Sequence, residues 1–272
     1  MIGKEENQTI KDFGDQWKLF QNNTGFYASI DLFEDFCGPL LDISDVKGKR
    51  VLDVGSGTGR IVNMLLDSGA KSVVAVEPSD AFQLLKKNTE ERSDKVKYFN
   101  LPGESIPKEI EVDYAFSVGV LHHIPNPLPT VKRVYEILKP NGKFIIWLYG
   151  REGNEIYLKI IKPIKRITST IPDFLLIGLA FFLNILATFY ISAGKFVNLP
   201  LQDYINKIFS KLSWKNRQMI IFDQLNPAYA KYYSQEEAER LLQHAGFINV
   251  RFHHRHGYSW TVIGIKPKNC SE

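Results

Sequence analysis

The residues best equipped for chemistry lie in one short run, Val51-Leu52-Asp53-Val54-Gly55-Ser56-Gly57-Thr58-Gly59-Arg60. A buried-type apolar stretch delivers an acid, and three alternate glycines follow before a helical pattern begins. Glycine lets a ligand approach the backbone and allows a turn that side chains would block. The amides at the start of the helix suit a carboxylate or a phosphate. Glu77 ends the next apolar run, where an acid can accept hydrogen bonds from two ribose hydroxyls. His122-His123 follow the run DYAFSVGV, at the edge where open parallel sheets bind ligands. A neutral imidazole there can take a proton from a hydroxyl or amine, and capping the following turn is the competing role.

These groups need a scaffold that brings strand ends together. RVLDV (50–54), SVVAVE (72–77), VKYFN (96–100), DYAFSVGV (113–120) and KFIIWLYG (143–150) read as strands. Helix-length segments separate them: 58–68, a segment from an Asp80 cap to about Glu91, and 127–138, which stops at Lys139-Pro140-Asn141-Gly142. Such alternation predicts a parallel sheet covered on both faces. Ser234-Gln235-Glu236-Glu237 is an S-x-x-E capping box, and FINVRFHH (247–254) and YSWTVIGIKP (258–267) read as a closing antiparallel pair. Phe13, Trp17 and Phe20 mark an amphipathic helical N-terminus.

Together, DVGSGTGR, the strand-ending acid in VVAVEPS, and the later GES and SVGVLHHIPNP resemble class I S-adenosylmethionine-dependent methyltransferases. Within that class the sequence is most similar to the small-molecule group that includes ubiquinone/menaquinone and sugar methyltransferases. The resemblance covers 50–150 and, less closely, 234–267. It implies an α/β fold: a Rossmann-like, mostly parallel seven-stranded sheet with helices on both faces, an N-terminal helical lid (1–49), a cofactor-binding core (50–150), an inserted helical cap (151–232) and a closing helix and strand pair (233–272). It also implies S-adenosylmethionine as cofactor. Asp53, Gly55, Gly57 and the loop around Ser56 would hold its methionine end, and Gly59 would also belong to the cofactor site. Glu77 would bind the ribose with Pro78 beside it, and Glu104 would lie at the adenine edge. Ser117 and Val118 would line the cofactor, and Trp17 would belong to the lid. His123, with His122 next to it, is the implied catalytic candidate. The implied reaction is methyl transfer to a small-molecule or lipid- or glycan-linked acceptor, at oxygen, with no metal. Two alternatives stay open. One is an NAD-dependent oxidoreductase, which the departure from G-x-G-x-x-G disfavours. The other is a non-catalytic, membrane-recruited module that keeps the fold.

The chain has 272 residues with 44% hydrophobic and 24% charged, which excludes wholesale disorder and a polytopic membrane protein. Its formal net charge of +4 lacks the marked basic excess of a general nucleic-acid binder, so no nucleic-acid partner is expected. That charge is unevenly placed. Residues 151–220 hold ten Lys/Arg against four Asp/Glu, a net of +6, which leaves −2 elsewhere. The same segment contains FLLIGLAFFLNILATFYISAG (174–194), 21 residues without a charge. Three readings of it stay open: a helix buried against its own domain, an interfacial segment meeting anionic headgroups through 159–200, and a true span. Cys37 and Cys270 have no metal or C-x-x-C spacing, and the N-terminus lacks a secretory apolar core. A cytoplasmic location, with or without membrane association, is therefore expected. His253-His254-Arg255-His256 superficially suggests a metal cluster, but strand alternation would send His253 away from His254 and His256.

Overall fold

The computed structural model describes residues 3–21, 23–168, 171–197, 199, 202–225 and 229–268, so Cys270 lies outside the described residues. The chain opens with helices α1 (Lys4–Leu19) and α2 (Ile30–Cys37). The alternating part follows as β1 (Arg50–Val54), α3 (Arg60–Asp67), β2 (Ser72–Val76), α4 (Phe82–Asn88), β3 (Val96–Phe99), β4 (Val112–Val118), α5 (Leu128–Ile137) and β5 (Leu138–Tyr149). Four helices interrupt it: α6 (Glu155–Thr168), α7 (Asp173–Ala193), α8 (Gln202–Lys207) and α9 (Trp214–Leu225). The chain closes with α10 (Gln235–Gln243), β6 (Ile248–Arg255) and β7 (Ser259–Ile265).

The seven strands form one sheet in the order β3-β2-β1-β4-β5-β7-β6. All pairings are parallel except those of β7, which runs antiparallel to β5 and β6. The expected seven-stranded α/β architecture is therefore the one observed. Its strands are short apolar runs because both faces are covered: Leu52, Val54, Phe144 and Ile146 are buried on one face and Val51, Val73, Ile145 and Ile263 on the other. Each such side chain stabilises the fold by about 1.5–3 kcal/mol through removal from water. The order reverses at β1 and β4, whose carboxyl ends part to leave a crevice, the usual ligand position in open parallel sheets.

Three local expectations change. Asp80 does not cap α4: the N-cap is Ala81, with no side-chain cap, and Asp80 Oδ2 accepts instead from Lys18 Nζ of α1 at 2.9 Å. Lys139-Pro140-Asn141-Gly142 does not separate helix from strand but lies within the bounds of β5. Asn141 takes φ +61° there, and the register to β4 shifts between Val112 and Tyr114. His256 lies past the end of β6 with φ +48°, so strand alternation does not govern it. The Ser234 capping box is present with both of its reciprocal hydrogen bonds.

The chain divides into two compact units. The first comprises Met1–Asn23, Ala28–Gly153 and Ala228–Glu272; the second comprises Thr24–Tyr27 and Asn154–Pro227. Inside the second unit, α7 packs on α9 through one face. Leu176, Ala180 and Asn184, each four residues apart, are buried. Asn184 Nδ2 donates to Trp214 O at 2.9 Å, and the Phe181 and Trp214 rings meet edge to face at 5.6 Å. α6 is tied to α9 by Tyr157 OH, which donates to Gln224 Oε1 at 2.6 Å, and by Thr168 Oγ1, which donates to Leu225 O at 2.8 Å.

Candidate active site

β1 ends in the glycine turn because the backbone there takes conformations closed to other residues. Gly55 has φ +75°, and a Cβ on it would meet the Val120 side chain at 2.5 Å. Gly59, at φ +84°, is the N-cap of α3. The turn is fastened to β2: Gly55 N and Ser56 N both donate to Val76 O, at 2.8 and 2.9 Å, and Ser56 Oγ donates to Asp53 O at 3.1 Å.

Glu77, directly after β2, joins the two strand ends. Its Oε2 accepts from Gly57 N at 2.8 Å and its Oε1 from Ser79 N at 2.9 Å. Both oxygens are thus anchored by backbone amides, charge-assisted bonds that fix the carboxylate in the crevice. Glu104 stands opposite, after β3. Its Oε2 accepts from Thr130 Oγ1 at 3.3 Å, and its carbonyl accepts from Arg133 Nε at 3.2 Å.

α1 forms one wall of the cavity. Glu6, Thr9, Ile10, Phe13 and Trp17 recur at spacings of three and four and all line it. The helix is held by Lys18, whose Nζ lies 3.0 Å from Asp15 and 2.9 Å from Asp80. Gly57 faces the Trp17 ring closely, since a Cβ on it would lie 3.4 Å from the indole nitrogen. Burial, and then the neighbouring Glu104 charge, raise the Glu6 carboxyl above the usual carboxylate range.

The cavity gathers Trp17, Gly55, Ser56, Gly57, Glu77, Pro78, Glu104, Val118 and His123 from the sequence candidates. Asp53, Gly59, Ser117 and His122 are not on its wall. Asp53 lies beneath the turn, 1% exposed, and among the described residues its Oδ2 has no hydrogen-bond partner. Burial pushes its carboxyl up to about 7, against the opposing pull of Ser56 and Arg60. Sequence reading missed Glu6, Thr9, Ile10, Arg60 and Ile124 on the wall. The periodic stripe of α1 was the available signal for the first three.

His123 and His122 differ sharply despite being adjacent. His123 lines the cavity, with its Nδ1 2.6 Å from Tyr229 O and its ring edge-on to Phe13 at 4.6 Å. A carbonyl can only accept, so Nδ1 carries the hydrogen and the lone pair of the neutral ring is on Nε2. His122 is 1% exposed and packs on Tyr149 at 4.1 Å between ring centroids. Two further histidines are taken up in pairing and packing. His256 Nε2 lies 2.8 Å from Asp35 Oδ1, while His254 stacks on Trp260 at 4.3 Å. Arg255 beside them is buried and paired with Asp35 over the Phe36 ring. Among the described residues no cluster of three or more His, Cys, Asp or Glu could hold a metal.

The cavity suits a large cationic nucleoside. Glu6, Glu77 and Glu104 supply negative charge, and Ile10, Phe13, Trp17, Pro78 and Ile124 supply apolar and aromatic surface. Asp53 Oδ2, beneath the turn and off the cavity wall, is a buried acceptor that no described residue satisfies. S-adenosylmethionine, with its sulfonium, ammonium and adenosine, fits this donor set.

Comparison with known proteins agrees. Residues 52–146 match the family described as a methyltransferase domain. A tRNA U34 carboxymethyltransferase of Idiomarina loihiensis is 28% identical over 121 residues, which is 42% of this chain and 36% of that protein. The tRNA U34 carboxymethyltransferase of Pseudomonas aeruginosa is 33% identical over 113 residues, 40% of this chain and 35% of that protein. The chain thus spans only about a third of the length of these curated relatives. Among solved structures, Burkholderia thailandensis 1,6-didemethyltoxoflavin-N1-methyltransferase, with bound 1,6-didemethyltoxoflavin and S-adenosylhomocysteine, superposes with a TM-score of 0.54 at 14% identity. That match covers 96% of this chain and 87% of that one. An S-adenosylmethionine-dependent methyltransferase in its apo form gives 0.53 at 15% identity, covering 87% and 55%. At such identities these structures show the fold.

One expectation is overturned. Relatives that act on tRNA contradict the exclusion of nucleic acid, and they lend no support to a lipid-linked acceptor. The exclusion rested on a whole-chain charge of +4, which averages over units of different sign and says nothing of a local surface. The nicotinamide alternative also gives way. With the glycine turn, the anchored Glu77 and the match over 52–146 taken together, the chain carries a class I S-adenosylmethionine-dependent methyltransferase domain, and S-adenosylmethionine is its cofactor.

Proposed function

We propose that this protein transfers a methyl group to an oxygen of its acceptor, with His123 as the general base. The observation that carries this reading is the hydrogen bond from His123 Nδ1 to the Tyr229 carbonyl at the cavity wall. It fixes the tautomer and the plane of the ring, as an orienting partner does for a base in other acid–base sites. Bound S-adenosylmethionine supplies an electrophilic methyl group on a positively charged sulfur. A neutral hydroxyl is a poor nucleophile, so a base that takes its proton as the new bond forms accelerates the transfer. Glu77 and the glycine turn hold the donor, and α1 keeps water from the reacting atoms.

The transferred group is read as methyl, not carboxymethyl. A carboxymethyl donor brings an extra negative charge, and the cavity wall carries Glu6, Glu77 and Glu104 against Arg60 as its single guanidinium or ammonium. An RNA acceptor is the second reading, favoured by the likeness to tRNA-modifying proteins over about two-fifths of this chain. Incubation with methyl-labelled S-adenosylmethionine and separated RNA and small-molecule fractions distinguishes the two. Alkali-stable label on oxygen, formed by wild type and lost in His123→Ala, supports the proposal. Label on carbon or nitrogen, or undiminished turnover in His123→Ala, refutes it.

A further inference from the structure

We propose that the second unit is a membrane-seating surface, which lays α7 in the plane of an anionic bilayer. Neither the acceptor nor the role of His123 bears on this surface, which is built on the two faces of α7. Leu176, Ala180 and Asn184 form the packed face. The opposite face carries Phe174, Leu175, Phe182, Leu186 and Phe189, all exposed, with Phe174 at 70% and Phe189 at 68%. An ordinary surface helix places charged or polar groups there. α7 has no charge between Asp173 and its end, so its outer face is as apolar as its inner one. Phe196, 87% exposed, continues the apolar surface past the helix. Contiguous exposed apolar area of this kind marks a contact with another phase or another protein.

α6 repeats the pattern with charge added. Ile156, Ile160, Ile164 and Ile167 are exposed at spacings of four and three, and so share one face. Lys159, also exposed, flanks that stripe, and Lys162, likewise exposed, lies farther round the helix. Long basic side chains beside an apolar stripe can lay their methylenes along it while the ammonium groups reach lipid phosphates. The second unit as a whole holds nine Lys/Arg against four Asp/Glu, a net of +5. This complementarity selects an anionic lipid surface.

α7 is the one helix among the described residues long and apolar enough to cross a membrane. Topology argues against a crossing. β5 lies before α7 and β7 after it, yet the two pair from Lys143–Ile265 to Tyr149–Ser259 in one sheet. A single span would put those partners on opposite sides of the bilayer. An in-plane seat keeps the sheet intact and still removes the outer phenylalanines from water.

Vesicle flotation of the full chain tests this, with phosphatidylcholine vesicles and with vesicles containing 30% (about one lipid in three) phosphatidylglycerol. Wild type should float with the anionic vesicles and about tenfold less with the neutral ones. Phe182→Glu with Phe189→Glu should abolish flotation, and Lys159→Glu with Lys162→Glu should reduce it to the neutral-vesicle level. Binding of S-adenosylhomocysteine, unchanged in both variants, reports that the first unit is folded. Phe182→Ser with Phe189→Ser gives a milder apolar loss that should weaken flotation in the same direction. Absence of wild-type flotation, or equal flotation of all variants, overturns the proposal. So does a lipid-free dimer that Phe182→Glu with Phe189→Glu dissociates, which would assign the face to a second copy. RNA binding without flotation, lost in the lysine variant, would assign the charge to nucleic acid.

Discussion

The two units solve the same burial problem in opposite ways. In the first, apolar strands are covered on both faces and the charged groups that remain inside are anchored, as Glu77 is by two backbone amides and Arg255 by Asp35. In the second, α7 covers one apolar face with α9 and leaves the other uncovered. The first unit covers its own apolar surface and leaves Asp53 Oδ2, beneath the glycine turn, without a hydrogen-bond partner among the described residues. The second leaves apolar side chains of α6 and α7 exposed, the surface proposed above to meet a lipid bilayer. Composition alone hides this division, because the average of a sealed unit and an unsealed one looks ordinary.

Substitutions can break the division. The largest effect is expected from His123→Ala, which should lower turnover by about 10²–10⁴-fold while cofactor affinity stays the same, read from rates against calorimetry. Loss of affinity in step with rate would make His123 a packing residue. Gly55→Val should come next. It places a branched side chain at positive φ and against Val120, and should weaken cofactor binding by up to about 100-fold. Vesicle flotation of that variant should be unaltered, because the second unit does not contain the turn.

Asp53→Asn sharpens the electrostatic part of the comparison. The folded carboxyl titrates near 7 while the unfolded one titrates near 3.8. Between these values the folded chain binds the extra proton, so the stability linked to this group is present below about pH 4 and is lost as pH rises through 7. The amide mimics the protonated acid. It should raise the Tm of the cofactor-free protein by about 5 °C at pH 8 and change it little at pH 4.5, while weakening S-adenosylmethionine. A lower Tm at pH 8 would contradict the burial argument. Ser234→Ala removes the cap of α10, costs about 1 kcal/mol and should lower Tm by about 2–4 °C by calorimetry. Lys18→Ala should do least, since its pairs with Asp15 and Asp80 are exposed.

Much of this was legible in the sequence where the backbone leaves no choice. Short apolar runs bounded by glycine and asparagine gave the strands, and the glycine turn with Glu77 gave the heart of the site. Local competition blurred the rest. Asp80 had a better partner in Lys18 than in the α4 amides, and Asn141 absorbed a register shift inside β5. His122 and His123 could not be separated from sequence, because a tight turn aims neighbouring rings differently and the Tyr229 carbonyl is 106 positions away. The α1 wall depended on a helix folding back over the glycine turn, which no local pattern dictates. The acceptor left no mark in residue types at all.

The central claim is that the cleft between the glycine turn and Glu77 holds the methyl donor. Calorimetric titration with S-adenosylhomocysteine tests it most directly, using wild type, Glu77→Ala and Glu77→Gln. Each wild-type chain should bind one molecule, and losing the charged acceptor should weaken binding by about 10–100-fold in Glu77→Ala and by less in Glu77→Gln. Failure of the wild type to bind, or equal affinity in all three proteins, would contradict the assignment.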